Sequence, residues 1–153
     1  MTNCRIKYSF TGASISPEVK TFSVSYIENV ARYVVPTLST TLTESLKDKL
    51  LSETSLRMIN SEADLEFEGK ITGYDQSYTG ERANETAALN KLTITLSVSF
   101  TNNKEPNKSF QKSFDASREY PSDKSLNDVE AGLIMEMSQE IIDKVFSAAL
   151  ADW

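Results

Sequence analysis

Hydrophobic and polar side chains alternate most regularly between Leu92 and Phe100. There Leu92, Ile94, Leu96, Val98 and Phe100 are separated by Thr93, Thr95, Ser97 and Ser99. A period of two held over that length predicts a strand with one buried face. Thr21 to Tyr26 reads the same way, with Phe22, Val24 and Tyr26 set against Thr21, Ser23 and Ser25. So does Asp64 to Tyr74, where Leu65, Phe67 and Ile71 oppose Glu62, Asp64, Glu66, Glu68 and Lys70. Gly69 and Gly73 inside that run predict a bulge or a bend. Phe110 to Ala116 is a fourth strand, less regular because Lys112 shares the parity of Phe110 and Phe114. Leu56 to Ile59 is a candidate short strand.

Elsewhere the spacing changes. After the break at Val35-Pro36, Leu38, Leu42, Leu46 and Leu50 form one stripe of an amphipathic helix, with Thr37 as the expected N-cap. A second stripe runs through Val129, Leu133, Met137, Ile141, Val145 and Ala149, widened by Ile134, Ile142 and Phe146. Ser125 and Asp128 stand ahead of it as a capping box. The order is β-α-β-β-β-α without repeat or linker. One-sided strands and two amphipathic helices place both helices on the same face of a four-stranded sheet. The expected fold is therefore an α+β two-layer sandwich. Its other sheet face, rich in Ser, Thr and acids, is left to water or to a partner.

At 153 residues the chain reads as one domain, 1–153, long enough for a core without disulfides. Sixteen basic against 22 acidic residues give a net charge of −6, which argues against a nucleic-acid binder. There is no histidine, and this removes His-based general base catalysis, Ser-His-Asp and Cys-His arrangements and His-ligated metals. The single Cys4 cannot form an internal disulfide. No apolar run approaches the roughly 18 residues of a membrane-spanning helix, and no leader peptide is legible in the chain as it stands.

Two clusters invite a chemical reading. Glu62, Asp64, Glu66 and Glu68 could form a carboxylate pair or a calcium site, but a solvated sheet face explains them more simply. Lys104, Lys108, Lys112 and Arg118 form a mildly basic region, which lysine protection of an edge strand explains equally well. With no nucleophile constellation and no phosphate-binding glycine loop, the expectation is a non-enzyme without metal or cofactor.

The segments "CRIKYSFTGASISPEVKTFSVSY", "PTLSTTLTESLKDKL", "DLEFEGKITGY" and "NETAALNKLTITLSVSFTNNKEPNKSF" together resemble the LptE family of lipopolysaccharide-assembly lipoproteins. "YSFTG" and "NETAALNKLTI" carry most of that resemblance, which spans Cys4 to Trp153. It implies a non-catalytic protein of the periplasm, anchored by lipid to the inner leaflet of the outer membrane through Cys4, with residues 1–20 as a tether. It further implies a place inside the β-barrel LptD as a plug, and a share in delivering lipopolysaccharide to the outer leaflet. Met1-Thr2-Asn3 is not the small-residue lipobox that precedes a lipidated cysteine, so an ordinary free thiol stays open for Cys4.

In the family the tip of the central hairpin is functional. On that analogy Asn84, Glu85, Thr86 and Asn90 are candidate partner contacts, joined by Thr95 and Ser97 on the polar sheet face. Arg82 and Lys91 are the nearest cations for lipopolysaccharide phosphates. The plainer reading has the Asn and Thr side chains capping their own backbone in a wide turn. At the level of function, the competing reading is a periplasmic binding module or chaperone lipoprotein with a different partner.

Overall fold

The computed structural model describes residues 15–151 except 81–87, with 79 and 80 described as backbone only. Six strands and two helices follow the order β1 (Thr21–Val24), β2 (Glu28–Asn29), α1 (Pro36–Glu53), β3 (Arg57–Met58), β4 (Leu65–Gly80), β5 (Leu89–Asn102), β6 (Phe110–Pro121) and α2 (Leu126–Leu150). The sheet runs β3-β1-β4-β5-β6, with β2 also alongside β4. β1 and β2 lie parallel to β4, while β4, β5 and β6 form an antiparallel meander. The α+β class holds, but the sheet has six strands where the alternation predicts four. β3 falls within the candidate Leu56–Ile59 run. β2 is two residues long, too short for any periodicity to betray it.

The two stripes behave as their spacing requires. Leu38, Leu42, Leu46 and Leu50 are buried to within 2 % of full occlusion. Met137, Ile141, Val145 and Ala149 are equally inaccessible, and Leu133 and Val129 pack at the margin. Beneath them lie Phe22, Leu65, Phe67, Ile71, Leu92, Ile94, Leu96, Val98 and Phe100. The helices are clamped side by side by Lys49, whose Nζ meets Asp143 at 3.0 Å and Glu53 at 3.1 Å and sits 5.2 Å from the Phe146 ring centre.

Helix α2 begins as expected: Ser125 is the N-cap and its Oγ accepts from the Asp128 N–H at 3.3 Å. Helix α1 does not. Val35 is its N-cap, no side chain caps it, and Pro36 rather than Thr37 opens the first turn. A proline there gives up an N–H that would be unpaired anyway and arrives with a helical φ, so the start is fixed without a polar cap.

The bulge announced by the glycines falls between Ile71 and Gly73, where Thr72 is left without a partner on β5. One extra residue reverses which parity faces the helices. Below it Leu65, Phe67 and Ile71 point inward; above it Tyr74 does, 6 % exposed, and its hydroxyl donates to Glu130 on α2. Gly69 serves packing instead, since a Cβ there would lie 3.3 Å from Ile27 Cγ1 and 3.4 Å from Leu96 Cδ1. Its missing side chain leaves room for Ile27, which is buried and whose N–H donates to Thr43 Oγ1.

Tyr26 departs from the sequence reading. Expected to face inward with Phe22 and Val24, it is 59 % exposed. β1 ends at Val24, the Ser25 N–H reaches across to the Phe67 carbonyl, and Ile27 takes the inward place. The parity that served β1 therefore does not carry past residue 25.

Candidate functional site

The sheet face turned away from the helices is organised by the β5 row. Lys91, Thr93, Thr95, Ser97 and Ser99 point outward from it, each half-buried by its neighbours. On β4 they face Ser77, Asp75, Gly73, Lys70 and Glu68. On β6 they face Glu119, Ser117, Asp115, Ser113 and Gln111. A central row of hydroxyls is thus flanked on both sides by small residues alternating with longer polar and charged ones. Thr93 and Ser117 share a hydrogen bond of 2.8 Å, so part of this hydroxyl display is already tied down across strands. Glu68, Gly69, Lys70, Ser97, Ser99 and Gln111 border a shallow depression on it.

Of the candidate residues, Lys91, Thr95 and Ser97 share this face. Thr95 and Ser97 are about 7 Å apart along the strand and Lys91 about 13 Å from Thr95, from the rise per residue. Asn90 does not join them. It pairs with Tyr78 and Tyr120 and has the parity of Leu92, so it belongs to the helix side of the sheet. Both the partner-contact and the wide-turn readings place Asn90 in the hairpin tip; instead it is the second residue of β5. Arg82, Asn84, Glu85, Thr86 and Cys4 lie outside the described residues. Lys91 stands opposite Glu119, and acids outnumber lysines on the surrounding rows. This environment suits a hydrogen-bonding protein surface better than a phosphate-rich one.

The other two clusters resolve into structure. Glu62 precedes β4 in a turn with φ of 55°, and Asp64 is a cap rather than a strand residue. Its Oδ2 accepts from the N–H groups of Lys20 and Thr21 at 2.8 and 3.1 Å, and the Asp64 N–H donates back to Thr21 Oγ1. The Lys20 N–H leads the causes that hold its carboxyl below the ordinary range, against a smaller opposing effect of burial. Among the described residues no group of three or more potential metal ligands converges. The basic region is dispersed: Lys104 pairs with Asp64, Lys108 with Glu105, and Lys112 lies over the Phe110 ring. That last contact explains why a lysine shares the parity of two phenylalanines.

Arg118 bonds Glu136 and Glu140 on α2, and Lys144 spans from Glu140 to the Asp115 carbonyl. The Glu140 carboxyl is held low by Lys144 first and then by Arg118. This network ties α2 to the outer edge of β6.

Sequence reasoning misses a group of exposed apolar residues at the end of the molecule where both helices begin. Val30, Tyr33, Val34 and Tyr78 are each more than half exposed, and the Tyr33 ring lies 6.4 Å from that of Tyr74. The legible signal is the run "VARYVVP" at 30–36, which belongs to neither periodic pattern.

A family model for LptE, lipopolysaccharide-assembly, matches residues 19–149. No curated protein matches the chain. Among solved structures the fold is similar to rare lipoprotein B from Shewanella oneidensis, at 14 % identity over 84 % of this chain and 92 % of that one, with a TM-score of 0.60. It is similar also to lipoprotein B from Nitrosomonas europaea, at 8 % identity over 93 % and 86 % with a TM-score of 0.56. A minor lipoprotein from Acinetobacter baumannii aligns at 16 % identity over 88 % and 98 %, with a TM-score of 0.51. At these identities the likeness is one of fold. No helix among the described residues is long and apolar enough to cross a membrane.

Proposed function

That the chain belongs to the LptE family of lipopolysaccharide assembly is the premise from which we propose its mode of action. The protein is a non-catalytic lipoprotein of the periplasm, tethered to the outer membrane through Cys4. It plugs and supports the barrel LptD, and it helps to pass lipopolysaccharide to the outer leaflet. The observation that carries this reading is the outer sheet face. Its short hydroxyl side chains, Thr95 and Ser97 at the centre, form a hydrogen-bonding surface. Free solvent would favour more Lys and Glu at such positions, whereas the polar interior of a barrel asks for small polar contacts.

In this reading Thr95, Ser97 and the hairpin residues Asn84, Glu85 and Thr86 meet the barrel wall. Asn90, facing the helix side of the sheet, supports the hairpin from beneath. Lys91, and Arg82 outside the described residues, are the cations assigned to anionic lipid groups, Lys91 with the handicap of Glu119 beside it. No bond is made or broken by any of them: their part is to bind and to position.

The test is co-purification from outer membranes. Replacing Thr95 and Ser97 together with arginine should abolish recovery of LptD while the isolated domain keeps its circular dichroism and melting temperature. Cys4→Ala should move the protein from the membrane fraction to the soluble periplasm. Full recovery of LptD with the double variant would place the interface elsewhere. Recovery of some other partner by the wild type would favour a periplasmic binding module or chaperone.

A further inference from the structure

Two stretches of free sheet edge, along β6 and along the upper half of β4, are treated differently. Along β6 two carbonyls that point away from β5 are occupied, Asp115 by Lys144 Nζ at 2.6 Å and Ser117 by Arg118 Nη1 at 2.9 Å. Among the described residues the upper half of β4 has no such cover. β1 reaches only residues 65–67 and β2 only 70 and 71, so from Gly73 to Tyr78 no described strand lies on the side opposite β5. Which main-chain groups face that gap follows from the bonds below it. The Phe67 and Ile71 carbonyls accept from Ser25 and Val30, so inward-facing residues of β4 send their main-chain groups to this edge. Past the Thr72 bulge the inward parity passes to Tyr74, Gln76 and Tyr78, and with it the edge-facing N–H and C=O groups.

Gln76 and Tyr78 are exposed, and the register between the two bulges is regular from Gly73 to Tyr78. The stretch carries neither Lys nor Pro, the usual protectors of an edge. Tyr78 on the stretch and Tyr33, whose ring lies 6.4 Å from that of Tyr74, are exposed apolar anchors, and Val34 next to Tyr33 in the chain is exposed as well. Arg32 is exposed beside them, and no acid occurs from Asn29 to Thr43. Tyrosine and arginine without Lys, and with Asp75 turned to the outer face opposite Thr93, is the composition of an interface centre.

We infer that the β4 edge at Gln76–Tyr78 receives an extended segment of the barrel partner. That segment adds as a strand where β2 leaves off, seats an apolar side chain between Tyr33 and Tyr78, and offers a carboxylate to Arg32. The inference rests on the reading of the protein as a barrel partner. It adds a second contact, at right angles to the outer face and independent of it.

Tyr78→Pro tests it directly. Because the Tyr78 N–H points off the sheet, proline removes the docking donor without touching the β4–β5 ladder. Tyr33→Ser is the companion change, in a loop where folding is not at stake. Each variant is co-expressed with LptD and purified from outer membranes, and its melting temperature is measured alone. The expected result is loss of LptD recovery with Tyr78→Pro and a partial loss with Tyr33→Ser, at wild-type melting temperatures. Wild-type recovery with both variants overturns the edge contact. If the Thr95 and Ser97 double variant still loses LptD in that case, the proposed function stands. No LptD with the wild type overturns both. A dimer of the isolated chain in sedimentation that Tyr78→Pro dissolves would assign the edge to a second copy and overturn the barrel segment. Saturable binding to anionic vesicles lost in Tyr33→Ser, with LptD recovery unchanged, would assign it to lipid and do the same.

Discussion

The Tyr74 hydroxyl donates to the Glu130 carboxylate, joining β4 just above its bulge to the first turns of α2. Burial first, and then Glu130, push the Tyr74 pKa well above the ordinary tyrosine range, so the ring remains a neutral donor at any physiological pH. The bond depends on the bulge: without the extra residue at Thr72, Tyr74 would face the outer surface and Glu130 would have no partner there. Tyr74→Phe keeps the buried ring and deletes only the donor. It should cost about 1.5–3 kcal/mol, the range for a hydrogen bond to a charged group. Urea denaturation monitored by circular dichroism measures it, and equal midpoints for variant and wild type would show that the bond adds nothing.

The core under the helices should be the least forgiving part of the molecule. Leu42 and Ile141 are both at 0 % exposure, one from each stripe. Truncating either to alanine removes buried methyl groups and leaves a cavity that the packed sheet cannot close, at about 2–5 kcal/mol. Chemical denaturation of the two single variants checks this; a cost below about 1 kcal/mol at both would mean that the layers can collapse to fill the gap.

Asp64 gives the fold a predictable acid limb. Its folded-state pKa is lowered from 3.8, chiefly by the Lys20 N–H, with Thr21 and Lys104 adding to it. A depressed carboxyl contributes stability that is fully present above its unfolded pKa and is lost as pH falls through the folded one. The stability difference between wild type and Asp64→Asn should therefore be constant near neutrality and shrink below about pH 4. Melting temperatures from pH 7 to pH 2 would show it, and a difference independent of pH would assign the contact no charge dependence.

These features are unevenly legible in the chain. The stripe of α2 and its Ser125 cap are local, and their spacing carries them directly into the structure. So does that of β5, whose alternation has no interruption. What the spacing cannot carry is anything that depends on a shift of parity. The glycines announce a bulge, but only the pairing of Gly73 with Thr95 shows that Thr72 is the extra residue and that Tyr74 turns inward. Tyr26 fails for the same reason one strand earlier. β2 is invisible because two residues have no period. The candidate site divides likewise: Thr95 and Ser97 sit where alternation puts them. Asn90 is misplaced because the sequence does not mark where the turn ends and pairing begins.

The guarded edge of β6 yields the last prediction. Lys144 and Arg118 occupy outward carbonyls of a twelve-residue edge strand, and both are anchored by Glu140. As ion pairs on the surface they should add little to stability, within about 1 kcal/mol. Their larger effect is to put charge and bulk where another strand would pair. Replacing both with alanine should leave the melting temperature nearly unchanged yet promote concentration-dependent association through β6. Light scattering would show it, more strongly at high salt, which screens the repulsion between molecules whose net charge is already −6. A double variant that stays monomeric at the highest attainable concentration would mean that strand twist, rather than these two cations, protects the edge.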